Sequence, residues 1–355
     1  MNFILNFFNK KEVPFPYGTG AIKQLPDSSI VNKETIAGDS QPFDWNIGYD
    51  IRDTLFHKCG INQIPVKDQG QSSSCGGQAT SYLMGVLDAL NDKIYIEKSA
   101  RFIYAPVHVQ GGGSSESALM SRILNIGSAS EQLVCSYEAN LLPSEEFMEK
   151  TDDIGSNDLQ NALSAKGMIP VYLDPTDIDK LAQAIRDNGG FVMGVHGQND
   201  GTWLSAYPKV PTTSVNKCWA HWLYFFSAKL INGKKYLGFI NSWGQIGENN
   251  TGVQWIPEEY LAKYTWGAWT TILVNPPKVT YTFNNTLSLG TSSVDVQKLQ
   301  IVLKNLGFFP QAQAITNYFG SISCNAVKEF QKANNLPITG VCGNLTRQQL
   351  NKLTQ

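Results

Sequence analysis

At 355 residues the chain is longer than one core usually organises, so a large domain with a smaller appendage is expected. Hydrophobic residues at 42% and charged residues at 16% exclude a disordered or fibrous chain, and a formal net charge of −2 excludes a globally basic nucleic-acid binder. Six cysteines are too few for a disulfide scaffold, and no apolar run approaches the roughly 20 residues of a membrane-spanning helix.

Met1–Phe8 is apolar, but Lys10 and Lys11 follow it instead of preceding it, the wrong order for a secretory signal. The chain is therefore expected to stay inside or to leave by a route its own sequence does not encode. Residues 1–42 read as an irregular extension punctuated by Pro14, Pro16, Gly18, Gly20 and Pro26. A helix is expected from Gly76 to Leu90, with Leu83, Val86, Leu87 and Leu90 along one side. Beyond Gly190 the pattern turns to strands, over Phe191–Val195, His221–Ile231 and Lys235–Ile240. Asn232-Gly233 between the last two is a strong hairpin signal. Helix first and antiparallel strands after it imply an α+β domain over residues 43–275, with a cleft between two lobes.

The apolar run Trp269–Val274 ends in Asn275-Pro276-Pro277, which places a linker over residues 276–285. Residues 286–355 form a small domain with six basic and two acidic residues, so the rest of the chain is net acidic. Within it, Gly320-Ser321-Ile322-Ser323 and Gly343-Asn344-Leu345-Thr346 begin two copies of one pattern, G-x-[IL]-[ST]. In each the glycine closes a turn and the hydroxyl residue is expected to cap a helix. Val296, Leu299, Leu303 and Leu306 recur at helical spacing before Gly307, giving three short helices around one core.

The chemistry centres on Cys75, where a polar loop (Asp68-Gln69-Gly70-Gln71-Ser72-Ser73-Ser74) runs into the expected helix. First-turn N–H groups and the helix dipole favour a thiolate there, and an adjacent imidazole would complete its activation. A buried structural cysteine is the plainer alternative. Of the four histidines (His57, His108, His196 and His221), His221 begins the hairpin whose returning strand ends in Asn241-Ser242-Trp243-Gly244. An ideal two-residue loop pairs Asn241 with Tyr224, which turns Asn241 away from His221; a one-residue bulge would restore a common face. His196 reads as structural, and Cys218 and Trp219 as core packing beside the cleft.

Gln69 six residues before Cys75, then His221, then Asn-Ser-Trp-Gly resemble the papain-like cysteine peptidases. His221 follows Cys75 by 146 positions and Asn241 by 166, against about 130–150 in that family. Asp50-Ile51-Arg52 and Ser99–Tyr104 are similar to bacterial members. The resemblance implies a helical lobe plus an antiparallel β lobe, with Cys75 as nucleophile and His221 as base. Asn241 would orient the imidazole and Gln69 would supply an oxyanion donor. Gly111, Gly112 and Gly113, along which substrate backbone would align, and Trp243, which would cover the His–Asn contact from water, complete the substrate-binding set. The thiolate is expected at the mouth of a groove open to solvent. Three positions depart from the family: Ser72 replaces a cysteine and forbids its disulfide, Gly76 replaces an aromatic residue, and residues 1–42 show no inhibitory prosegment pattern.

Residues 286–355 resemble the peptidoglycan-binding domains of wall-lytic enzymes. The matching positions are Leu289-Gly290, Asp295-Val296, Leu299-Gln300, Leu303, Leu306-Gly307, Phe319-Gly320, Ala326-Val327, Phe330-Gln331, Gly340, Gly343 and Thr346. Together these imply an endopeptidase held at the bacterial cell wall, acting on polypeptides as a monomer. Alternatives are a phage or bacterial enzyme cleaving wall peptides, and a catalytically silent wall-binding or virion protein. No C-x-x-C or H-E-x-x-H occurs, so neither a metal nor a cofactor is expected. No nucleic-acid partner is expected, and Cys324 and Cys342 are either a disulfide or two separate thiols.

Overall fold

The computed structural model describes residues 21–22, 41–138, 141–155, 158, 162, 168–210, 219–273, 281–306, 308–310, 313–334 and 336–354. Expectations for Met1–Gly20, Pro26, Cys218, Gly307 and the linker residues 276–280 lie outside them.

The chain opens with β1 (Ala21–Ile22), β2 (Tyr49–Asp50) and α1 (Ile51–Cys59), whose N-cap Asp50 accepts from the Arg52 N–H and grips its guanidinium. The helix expected from Gly76 is α2 (Cys75–Asp92), ended by Lys93 in the left-handed region. It is buried all round from Cys75 to Ala89, because it is a central helix and not the one-sided surface helix that the leucine spacing suggested. Around it lie α3 (Ala100–Tyr104), β3 (Ser114–Ser115), α4 (Glu116–Asn125) and α5 (Glu145–Glu149).

The second half contains β4 (Met168–Leu173), α6 (Ile178–Asn188), β5 (Phe191–Gly197), β6 (Trp219–Ile231), β7 (Lys234–Ile240), β8 (Val253–Pro257), α7 (Glu258–Tyr264) and β9 (Thr265–Leu273). These strands form an antiparallel sheet in the order β4-β9-β5-β6-β7-β8, with β2 paired to β6. The fold is thus α+β, helices first and an antiparallel sheet after, as the pattern implied.

The long strand β6 has one core on each face. Trp222, Tyr224 and Phe226 join the cluster built on α2, while Trp219, Leu223 and Phe225 join a second cluster with α6, Phe239 and Trp243. After Phe226 the parity reverses, and the even-numbered Ala228 belongs to the second cluster. The pairing explains why. Ser227 through Ile231 follow the register of an ideal hairpin loop, but Tyr224 pairs with Ile240 and Phe225 with Phe239, so one extra residue bulges between Phe225 and Ser227. Asn232 and Gly233 at the turn have φ of 51° and 77°, the left-handed pair that a type I′ hairpin needs.

The C-terminal residues have their own core, from Phe283 to Leu350. Tyr281 and Phe283 pack into it although composition placed them in the linker. Its helices are α8 (Val294–Asn305), α9 (Ser321–Ala333) and α10 (Asn344–Thr354). The sequence repeat is a structural one, but Ser323 is no helix cap; Gly320 holds that position in α9. Instead Ser323 takes a hydrogen bond from the buried Gln300 amide at 2.9 Å, and Thr346 takes one from the buried Gln331 amide at 2.9 Å. Each glutamine also accepts from a backbone N–H in the loop ahead of the next helix, Thr316 for Gln300 and Thr339 for Gln331. Cys324 and Cys342 are two separate thiols, and burial pushes Cys342 up to about 12.

Candidate active site

The bulge has a local consequence. With one residue extra in β6, the register puts Leu223 and not Tyr224 opposite Asn241, and His221 lies two positions away on the same face. The ring and the amide meet: His221 Nε2 and Asn241 Oδ1 are 2.9 Å apart. Asn241 Oδ1 also accepts from the Ser242 N–H at 2.8 Å. Both side chains are fully buried. Burial penalises the imidazolium and draws His221 down to about 4, against the opposing pull of the Asn241 bond. The ring is therefore neutral at pH 7, and its Nδ1 is buried with no hydrogen-bond partner among the described residues. Trp243 stacks on it with ring centroids 4.5 Å apart, and the edge of Trp219 packs against it from 6.1 Å. Trp243 is 1% exposed, so it lies in the interior against His221 and presents no face to a groove. The other histidines lie elsewhere: His57 and His108 bond through Nδ1 to backbone carbonyls, and His196 packs on Trp266.

Gln69 is fixed from both ends. Its amide nitrogen donates to Ser72 O at 2.7 Å, and its Oε1 accepts from Ser242 Oγ at 2.6 Å. The Gln69 N–H donates to Ser242 O, and the Gly244 N–H donates to Lys67 O, so residues 67–69 and 242–244 form a short ladder. Where the resemblance expects a disulfide-forming cysteine, Ser72 Oγ donates to Gln69 O and lies 2.7 Å from Ser74 Oγ.

Cys75 is the first residue of α2. The next residue, Gly76, touches Trp222: a Cβ there would lie 3.4 Å from Trp222 Cδ1. That contact is one residue from Cys75 and one from His221. A Cβ on Gly76 would also collide with Ser114 Oγ and come within 2.6 Å of Leu119 Cδ1, which explains why no aromatic side chain stands there. Gly111, Gly112 and Gly113 all have φ near +91°, a run that side chains rarely adopt. Their segment is held to the Cys75 loop by polar contacts. The Tyr104 hydroxyl accepts from the Gly113 N–H at 2.8 Å and donates to Glu145, which also accepts from the Ser73 N–H. Burial and the Glu145 bond hold the Tyr104 phenol well above its usual range.

One expectation is overturned. The sulfur was to stand at the mouth of a groove open to solvent, yet Cys75, Gln69, His221 and Asn241 are all 0% exposed. Two residues of the extension that read as irregular lie in a strand. Ala21–Ile22 pairs in parallel with Ser114–Ser115, the two residues directly after the glycine run, and Ala21 packs against the cluster that contains Cys75. Sequence reasoning also missed Gln254, Ser242 and Glu145. The signal for Gln254 was a lone polar residue in the apolar run Val253–Pro257. Ser242 entered only as part of Asn-Ser-Trp-Gly, with no role of its own, and for Glu145 no local signal exists. Among the described residues no group of three His, Cys, Asp or Glu could hold a metal ion, and no helix is long and apolar enough to cross a membrane.

Comparison with known proteins agrees with this architecture. Residues 292–350 match the family described as "Putative peptidoglycan binding domain". The larger domain has the fold of papain-like cysteine proteases. It is similar to xylellain, a cysteine protease from Xylella fastidiosa, with 18% identity, a TM-score of 0.57, and coverage of 74% of this chain and all of that one. Procathepsin B of Trypanosoma congolense gives 14% identity and a TM-score of 0.51, covering 71% of this chain and 86% of that one. The ragweed pollen allergen Amb a 11, a cysteine protease solved in its proform, gives 18% and 0.50, covering 67% of each. No curated protein matches the sequence.

Proposed function

We propose that the larger domain is a cysteine endopeptidase and that the C-terminal domain holds it on peptidoglycan. One observation carries the reading: His221, bonded through Nε2 to Asn241, keeps Nδ1 without a hydrogen-bond partner among the described residues, on a strand packed against the helix that Cys75 begins. As the Cys75 sulfur attacks a peptide carbonyl, its proton passes to His221 Nδ1. The Cys75 backbone N–H and the Gln69 amide stabilise the oxyanion. His221 then gives that proton to the leaving amine, and the same nitrogen takes a proton from the water that hydrolyses the thioester. Asn241 holds the ring, Trp243 keeps water from the His–Asn bond, and Gly111–Gly113 align the substrate backbone. Attachment to the wall raises local substrate concentration without a new catalytic contact.

The fold is not by itself the activity. A second reading, favoured by the match over residues 292–350, is that the substrate is the wall's own peptides. Wild type and Cys75→Ala, with and without an epoxide thiol inhibitor, are to be incubated with casein and with purified sacculi. Casein cleavage that disappears in the variant supports the endopeptidase. Amino groups released from sacculi alone support the second reading. No turnover of either, with no inhibitor adduct, overturns both and leaves a binding protein.

In this structure the site is closed, and we attribute part of the closure to Ala21–Ile22 lying along Ser114–Ser115, where an extended substrate would pair. Activity then requires that segment to leave.

A further inference from the structure

We infer that Gln254 is a positioning residue that sets the tautomer of His221 through Asn241; the inference rests on the Cys75–His221 reading of the site. Gln254 lies on β8 and is fully buried. Its Nε2 donates two hydrogen bonds, to Trp203 O and to Ser205 O, each 2.7 Å. A carbonyl oxygen only accepts, so the amide cannot be turned over: that would set its oxygen against two others. Gln254 Oε1 is thereby aimed at Asn241, whose Nδ2 donates to it at 2.8 Å.

The constraint passes on. With Nδ2 committed to Gln254, Asn241 presents Oδ1 to the Ser242 N–H and to His221 Nε2. That oxygen cannot donate, so Nε2 carries the ring hydrogen. Nδ1 is left with a lone pair and no bond partner among the described residues, the form a general base needs. Every link runs one way, from two backbone carbonyls to the imidazole. The Ser242 N–H supports the same orientation of Asn241, but it does nothing for Nδ2, which without Gln254 would lose that buried acceptor.

The test reads the tautomer directly from ring 15N shifts of His221 in the full chain, assigned with His221→Ala. Wild type at pH 7 is expected to be the Nε2–H form. Gln254→Met is expected to give a mixture of tautomers. Gln254→Glu keeps an acceptor for Asn241 Nδ2 and should stay Nε2–H, the conservative rescue. In a cleavage assay Gln254→Met should lose on the order of tenfold in kcat/KM, and Gln254→Glu less. A Gln254→Met variant that stays fully Nε2–H overturns the inference, and so does a wild type that carries its proton on Nδ1, whether or not the variants fold. The shifts need no turnover, so an inert Cys75 would refute the peptidase reading and leave this measurement intact.

Discussion

His221 is a titratable ring sealed in a core, and its burial has a thermodynamic signature apart from catalysis. The unfolded ring takes up a proton near pH 6.5, while the folded ring refuses it until about 4. Between those values the unfolded state binds more protons, so stability falls as pH falls from 6.5 to 4, by up to about 3 kcal/mol. Urea unfolding of wild type and His221→Gln at pH 7 and 4.5 checks this: wild type should lose more stability than the variant. Equal losses would mean the ring protonates as readily inside as outside. Asn241→Ala removes the ring's orienting acceptor but leaves Cys75 and His221, the proposed nucleophile and base, in place. We expect turnover to fall yet remain measurable; an unchanged rate would mean that another group orients His221.

At the scale of elements, the geometry of the site depends on one bulge and one ladder. The bulge between Phe225 and Ser227 brings Asn241 round to His221. The sequence suggested that an irregularity was needed but not where, because every residue from Trp222 to Phe226 is apolar and buried on one face or the other. Period-two alternation carries no information when both faces are cores. The Asn232-Gly233 turn was legible because only such residues relax in the left-handed region. Strands β4 and β8 were not, since Pro170 and Gln254 interrupt their apolar runs. The ladder fastens the Gln69 loop to the Asn241 loop, and Ser242 is its side-chain bolt. Ser242→Ala leaves the buried Gln69 Oε1 short of a donor, so stability should drop by about 1–3 kcal/mol. An unchanged urea midpoint would show that the bond contributes nothing.

For the whole molecule, the resemblance singled out Cys75, His221, Asn241 and Gln69 as candidates through their joint spacing, but it could not show the closed state. The proposed closure involves Ala21–Ile22 finding Ser114–Ser115 across more than ninety residues of sequence, and two residues carry too little pattern to announce a strand. Removing residues 1–42 should therefore speed iodoacetamide labelling of Cys75, followed by peptide mass mapping against the exposed Cys135 as internal reference. A ratio that does not move would mean the extension does not guard the site. Among the described residues the C-terminal core is built from its own segment, so a chain ending before residue 281 should stop sedimenting with sacculi and still cut casein. Loss of casein cleavage as well would tie the two domains together in catalysis.

The proposed activity requires a Cys75 sulfur made reactive by the His221 ring. The most direct measurement is adduct formation at Cys75 by an epoxide thiol reagent, followed by intact mass at pH 6, in a chain lacking residues 1–42 and in the same chain carrying His221→Ala. We predict a single adduct at Cys75 in the first and none in the second over the same time. Equal labelling of both, or labelling of Cys135 while Cys75 stays untouched, would contradict it.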